Sequence, residues 1–232
     1  MRVKICGNTS VEDALLAAEA GADAVGVVNV AGTSRYTSLE DAKRIFAALP
    51  IFVSKVVVAR LDGLPTDKIT AIEETGADCV QLHGEESVEF VAALREEIKS
   101  GIKIIKKIGV GRDRKKSLEE ALAYEGVADA ILLDTEVGTK VGAGTEVGTE
   151  VGAGAEEIGG TGRVHDWTVS REIVERVGGE KVILAGGLNP GNVVKAVKVV
   201  KPYAVDVSSG VESRLRKKDA AKVKKFLEAV KC

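Results

Sequence analysis

"GADAVG" (Gly21–Gly26), "GADCVQ" (Gly76–Gln81) and "GVADAIL" (Gly126–Leu132) are one phrase written three times. Each copy opens on a glycine, carries an aspartate, and runs into a short apolar stretch. "KPYAVD" (Lys201–Asp206) is a looser echo. Between the copies the chain alternates β-branched runs with stretches of helical period. The predicted strands are "RVKIC" (Arg2–Cys6), "DAVGVV" (Asp23–Val28), "FVSKVVVA" (Phe52–Ala59), "DCVQLH" (Asp78–His83), "IKIIKKI" (Ile102–Ile108), "DAILLD" (Asp129–Asp134), "KVILAG" (Lys181–Gly186) and "YAVDVSS" (Tyr203–Ser209). A helix is expected after each one. The first starts with a capping box at Thr9 and Glu12 and ends at Gly21. Others are expected over Ser38–Leu49, Pro65–Thr75, Glu86–Lys99, Ser117–Tyr124, Val169–Val177, Pro190–Val199 and Lys218–Val230.

Strands separated by helices run parallel, because the chain crosses back each time. Strands covered by helices read as continuous apolar runs, as these do. The phrase falls on strands two, four and six, and its echo on strand eight. Recurrence at every second strand fits a closed, layered (βα)8 barrel. An open doubly wound sheet also alternates. Eight units in this length, without an early GxGxxG, favour the barrel. The expectation is an α/β chain forming a single (βα)8 domain over residues 1–232.

The bulk numbers are consistent with that size. The chain has 232 residues, 45% hydrophobic and only 3% aromatic, with a formal charge of −2. A near-neutral chain gives no sign of nucleic acid or an anionic membrane surface as partner. Abundant Lys and Glu with a single Gln is the bias associated with hyperthermophiles. The opening "MRVKICGNT" lacks a long apolar core, and no apolar run reaches membrane-spanning length. Three cysteines, Cys6, Cys79 and Cys232, show no metal spacing. A cytoplasmic location with reduced thiols is expected.

Between strand six and a glycine cluster lies "TEVGTKVGAGTEVGTEVGAG" (Thr135–Gly154), a decamer written twice with Lys140 replaced by Glu150. It reads as an expanded, low-complexity loop over residues 135–158. It is a tolerated surface insertion, a lid over bound substrate, or a hairpin of alternating valines.

In a barrel the loops after the strands form the catalytic face. Three glycine-rich stretches converge there: "GGTG" (Gly159–Gly162), "AGG" (Ala185–Gly187) and "SSG" (Ser208–Gly210). Glycine lets main-chain N–H groups approach a ligand, and helix N-termini add their dipoles. Gly160, Gly162, Gly186, Gly187, Ser209 and Gly210 are therefore read as a phosphate cradle, with tight turns as the plain alternative. Cys6 stands where a nucleophile or base belongs, although free cysteine is often simply interior. Asp134 closes a strand at the mouth and fits a general acid, or a turn former. The two are expected to face each other across the mouth, one accepting a proton and the other giving one. His83 reads as a hydrogen-bonding residue at the site's edge or a structural histidine. His165 reads as structural. Arg35 fits a clamp for a carboxylate, or plain surface charge.

These motifs, "KICGNT", "SRY", "VQLHG", "LLD", "GGTG…DW", "LAGGLNPGNV" and "DVSSGVE", resemble the phosphoribosylanthranilate isomerase family of TIM barrels in order and over nearly the whole chain. The resemblance implies an Amadori rearrangement in tryptophan synthesis, with a phosphorylated small-molecule substrate. It implies no metal and no cofactor. It assigns the general acid to Asp134, the general base to Cys6, the anthranilate carboxylate to Arg35 and the phosphate to the glycine clusters. That base role asks for thiolate character near neutral pH, and the strand-end position near phosphate-binding amides and a cation is expected to pull the Cys6 thiol down toward it. The stretches "VGVVNVAGTSRY" and "VVVARLD" depart from the family pattern. Another phosphate-handling barrel isomerase or epimerase, and a non-catalytic barrel binding a phosphorylated ligand, remain as alternatives. The chain is expected to act as a monomer or homodimer.

Overall fold

The computed structural model describes residues 1–61, 63, 66–98, 100–136 and 164–231. In chain order they form β1 (Arg2–Ile5), α1 (Val11–Glu19), β2 (Ala24–Asn29), α2 (Leu39–Ala47), β3 (Ser54–Ala59), α3 (Thr66–Glu73), β4 (Cys79–Leu82) and α4 (Val88–Glu97). There follow β5 (Lys103–Val110), α5 (Arg114–Ala123), β6 (Ala130–Thr135), α6 (Trp167–Val177), β7 (Val182–Leu184), α7 (Val193–Val200), β8 (Ala204–Val207) and α8 (Ala220–Lys231). β1 to β8 close into a barrel in sequence order, all parallel, with β1 pairing both β2 and β8. The chain is a (βα)8 barrel.

The recurring phrase has a structural meaning. Its glycines, Gly21, Gly76 and Gly126, take φ of +100°, +75° and +79° and turn each chain segment out of its helix. At Gly21 the turn is a Schellman motif: Gly21 N–H donates to Ala18 and Ala22 N–H to Ala17. Two residues or three later the aspartate reaches to the neighbouring strand. Asp23 accepts from the Val3 N–H at 2.9 Å, Asp78 from Lys55 at 2.8 Å, and Asp129 from Ile104 at 2.8 Å. Each even strand thereby pins the start of the odd strand before it, where the barrel floor would otherwise leave a donor open. At β8 the left-handed position is held by Lys201, with φ of +55°.

Alternate residues point inward and outward along each strand. Val56, Ile105, Leu132, Ile183 and Ala204 fill the lumen. Val3, Ile5, Val25, Val27, Val57, Ile104, Leu133 and Val205 face the helices. Fully burying such a side chain contributes about 1.5–3 kcal/mol.

Three details differ from the sequence reading. Ser10, not Thr9, caps α1, accepting from the Asp13 N–H at 3.2 Å. The Thr9 hydroxyl is taken by the Arg216 carbonyl at 3.2 Å. α5 starts three residues early, on an Asp113 cap, and α8 is preceded by a hairpin of β9 (Glu212–Arg214) and β10 (Lys217–Lys218). The repeat from residue 137 onward, and the "GGTG" cluster with Gly160 and Gly162, lie outside the described residues. Among the described residues no helix is long and apolar enough to cross a membrane.

Candidate active site

Above its aliphatic filling the lumen turns polar. Side chains two apart share a face of a strand, so Lys4 and Cys6 point inward together, as do Gln81 and His83, and Asp206 and Ser208. Lys4 Nζ donates to Asp206 Oδ1 and to Gln81 Oε1, both at 3.0 Å. Burial works against the Lys4 ammonium, but the Asp206 carboxylate outweighs it and holds Lys4 above the ordinary lysine range. Because Gln81 Oε1 accepts from Lys4, its Nε2 is the donor to His83 Nδ1, 3.3 Å away. That fixes the His83 tautomer with its proton on Nε2. Burial, then the Lys107, Lys4, Arg60 and Lys106 cations, push His83 down to about 3 and keep it neutral. One hydrogen-bonded line thus runs from β8 through β1 to β4.

The two proposed proton-transfer groups stand on the rim above this line. Cys6 is buried and continues β1, its N–H donating to the Val207 carbonyl at 2.8 Å. A Cβ on Gly26 would lie 2.9 Å from Cys6 Sγ and 3.0 Å from Lys4 Cε, so β2 admits only glycine there. Burial pushes the Cys6 thiol up, and the Lys4 ammonium only partly opposes it. This corrects the expectation of a thiol pulled down toward thiolate. A strand end beside a cation is not enough when the sulfur is dry.

Asp134 is the penultimate residue of β6, with Oδ1 accepting from the Thr135 N–H at 2.8 Å. Burial pushes its carboxyl up. The Thr135 N–H opposes that, the Asp206 charge reinforces it, and Lys107 and Lys4 oppose it. The result is a carboxyl biased toward its protonated, proton-giving form. Gly186, at φ of +83°, permits the approach of β7: an added Cβ would stand 3.1 Å from Asp134 Oδ1 and against Thr135 Oγ1. His165 hydrogen-bonds Thr135 Oγ1 at 3.2 Å and Ser170 Oγ at 2.6 Å. Burial pushes it down to about 4, so it is a neutral tie between β6 and α6.

Arg35 is buried, and its fork closes on Glu212: Nε to Oε1 at 2.8 Å and Nη2 to Oε2 at 2.7 Å. Lys218 joins the same carboxylate at 3.1 Å. A Cβ on Gly7 would lie 2.7 Å from both Arg35 Cδ and Ser208 Oγ, so the "KICG" glycine makes room for the arginine. The stretches after β7 and β8 meet, with Gly210 set against the Leu188 carbonyl. Gly186 and Gly187 both have positive φ. Among the described residues, no acceptor takes the N–H groups of Gly186, Gly187, Ser209 or Gly210. Four donors open at one rim suit an anion.

The sequence reading missed Lys4, Asp206, Lys107, Glu212 and Lys218. The available signal was a charged residue two positions before a proposed site residue, as with Lys4 and Cys6. Among the described residues no group of three or more His, Cys, Asp or Glu stands together to hold a metal ion.

A family model described as N-(5'phosphoribosyl)anthranilate (PRA) isomerase matches residues 3–229. The N-(5'-phosphoribosyl)anthranilate isomerase of Methanocella arvoryzae is 42% identical over 231 residues, 99% of this chain and 98% of that protein. The crystal structure of phosphoribosyl anthranilate isomerase from Thermotoga maritima superposes with a TM-score of 0.80 at 39% identity, covering 100% of this chain and 98% of that one. A structure of the isomerase in complex with reduced 1-(o-carboxyphenylamino)-1-deoxyribulose 5-phosphate superposes with a TM-score of 0.78 at 38% identity, with the same coverage.

Proposed function

The chain belongs to the N-(5'-phosphoribosyl)anthranilate isomerase family, and from that premise we propose how its own residues carry the family's Amadori rearrangement. Asp134 gives its proton to the furanose ring oxygen. The C1′–O bond breaks as the nitrogen lone pair forms a C=N bond, and the ring opens to a cationic Schiff base. Cys6 then takes the C2′ proton, and the resulting enolamine tautomerises to the ketone. The observation that carries this reading is the placement of the Asp134 carboxyl, its Oδ1 held by the Thr135 N–H, on the same rim as the buried Cys6 thiol.

The upward push on Cys6 fits this order of events. Before substrate binds, burial disfavours a thiolate. The Schiff base brings a positive charge beside Sγ and acidifies the C2′ proton at the moment the base is needed. Lys4 adds a fixed cation below. Asp206 keeps Lys4 charged, and Gln81 keeps it and His83 in place.

Arg35, oriented by Glu212, receives the anthranilate carboxylate. Gly186, Gly187, Ser209 and Gly210 receive the phosphate through their N–H groups, with Gly160 and Gly162 assigned to the same cradle on sequence. His83 presents its Nε2–H at the rim. Residues 1–232 act as one cytoplasmic barrel domain.

The test follows the loss of fluorescence of freshly made phosphoribosylanthranilate with wild type, Cys6→Ser and Asp134→Asn. Rapid loss with wild type and a drop of about 10²–10⁴ in each variant is expected for general acid–base groups. A wild type that binds the compound without consuming it sinks the reaction. Full activity in either variant sinks that residue's role.

A further inference from the structure

β5 carries two adjacent lysines with opposite fates. Lys106 turns away from the lumen, and its Nζ is buried against Glu86 Oε2 at 2.7 Å and the Gly84 carbonyl. Lys107 follows Ile105 onto the inward face, half-buried at the mouth. Gly109, two residues on, pairs in register with Asp134 on β6. A Cβ on Gly109 would lie 3.5 Å from Lys107 Nζ. The ammonium therefore lies alongside Gly109, on the level of Asp134. Among the described residues, no carboxylate lies within ion-pair distance of it, and it donates no hydrogen bond. Its charge is nonetheless felt by His83, by Asp134 and by Glu120 on α5.

We propose that Lys107 is a positioning residue for the acid step: its ammonium, lying alongside Gly109, stabilises the carboxylate that Asp134 becomes on giving up its proton. This rests on the reading of Asp134 as the acid. When the Asp134 O–H passes its proton to the ring oxygen, a buried carboxylate appears on β6. The groups around it are few. Asp206 on β8 repels it, and Lys4 on β1 is already bound to Asp206. His83 on β4 is neutral, β7 offers only Gly186, and the Thr135 N–H is already in place. Glu136, just past β6, lies on the Gly109 side and pairs at 3.9 Å with Lys116. Among the described residues Lys107, whose charge Glu120 on α5 also feels, is the cation left to meet the new charge.

The experiment compares wild type, Lys107→Met and Lys107→Arg by carboxyl ¹³C NMR of aspartate-labelled protein, with the Asp134 signal assigned by its loss in Asp134→Asn. Removing an opposite charge at this range raises a carboxyl titration by about one pH unit. The expected result is that shift in Lys107→Met and little shift in Lys107→Arg, with the kcat/KM profile displaced in the same direction. Unchanged melting temperatures in both variants confirm that the fold is intact. Superimposable Asp134 titrations in wild type and Lys107→Met overturn the inference. A shifted titration in a protein whose Asp134→Asn variant remains fully active leaves the Lys107–Asp134 coupling standing and removes Asp134 from the reaction.

Discussion

β6 follows one aspartate and carries another next to its last residue, and the two behave oppositely. Asp129, at the floor, accepts from the Ile104 N–H and pairs with Arg95 at 2.8 Å. Burial disfavours its charge, but those partners outweigh it and its carboxyl is held low. Asp134, at the rim, is also disfavoured by burial, and its partners do not outweigh it, so its carboxyl is pushed up. The difference belongs to the two ends of the barrel. At the floor the same glycine and aspartate recur, and each carboxylate accepts a backbone N–H from the strand before it. At the rim no phrase recurs, and charges are left imperfectly compensated. A floor that repeats is doing one mechanical job several times, whereas the rim assembles one chemistry from different strands.

The largest expected effect breaks this pair apart. Asp134→Asn is expected to lower kcat by about 10²–10⁴ with no loss of stability, since a buried carboxyl is exchanged for a neutral amide. Asp129→Ala is expected to leave kcat/KM unchanged and to cost about 1–3 kcal/mol in urea unfolding, because the buried Ile104 N–H loses its acceptor. If Asp129→Ala lost activity at full stability, the division between floor and rim would be wrong.

Lys106 and Lys107 sharpen the same contrast on one strand. The Lys106–Glu86 pair is nearly inaccessible, at 1% and 2% side-chain exposure. Glu86 also accepts from the Leu61 and Gly84 N–H groups, tying β3, β4 and β5 together. Lys106→Met leaves that carboxylate buried without its cation and is expected to cost about 3–5 kcal/mol. Lys107→Met is expected to unfold within about 1 kcal/mol of wild type, having no buried partner to strand. Equal losses in denaturant midpoint would show that Lys107 also bears on the fold.

The rim histidines give a smaller, pH-dependent effect. His83 and His165 are pushed down to about 3 and about 4 in the fold, against about 6.5 in the unfolded chain. Between pH 6.5 and 4 the unfolded chain therefore binds more protons, and stability falls as pH falls through that window. The floor carboxylates Asp23 and Asp129, held low in the fold, add their own loss only near and below about pH 4. Urea midpoints measured from pH 7.5 to 4.5 are expected to decline. His165→Asn flattens the decline even where it lowers the midpoint itself. Asp134, whose carboxyl is pushed up, opposes this decline by taking its proton first in the fold, so a profile that stays flat in the Asp134→Asn variant would mean that the imidazoles are not dry.

The sequence made the floor legible because a mechanical job that recurs leaves a recurring phrase. It also marked Cys6, Asp134 and the glycine runs, since strand ends and small residues are punctuated by turns. The lumen charges were hidden. When both faces of a strand are buried, apolar alternation no longer says which face is which. Lys106 and Lys107 look alike until the barrel's register sends one outward to Glu86 and the other into the mouth. The α1 cap was ambiguous for a similar reason. Thr9 with Glu12 and Ser10 with Asp13 both satisfy the capping pattern, and only the distant Arg216 carbonyl, which takes the Thr9 hydroxyl, decides between them. The thiol's upward shift was hidden too, because desolvation depends on what the fold lays over Cys6.

The one floor position that departs from its phrase offers the smallest test. Gly21, Gly76 and Gly126 take positive φ without strain, but β8 is entered through Lys201 at φ of +55°. A side chain there crowds its own carbonyl, at a cost of about 1–2 kcal/mol, which glycine avoids. Glycine is also freer in the unfolded chain, and that returns part of the gain. Lys201→Gly is therefore expected to stabilise the fold by about 0.5–1 kcal/mol while leaving the rim, and kcat/KM, untouched. Lys201→Ala keeps the Cβ and is expected to gain nothing. If alanine and glycine stabilised equally, the benefit would come from losing a lysine charge and not from relieving the backbone. The floor phrase would then be a matter of composition at β8 and not of geometry.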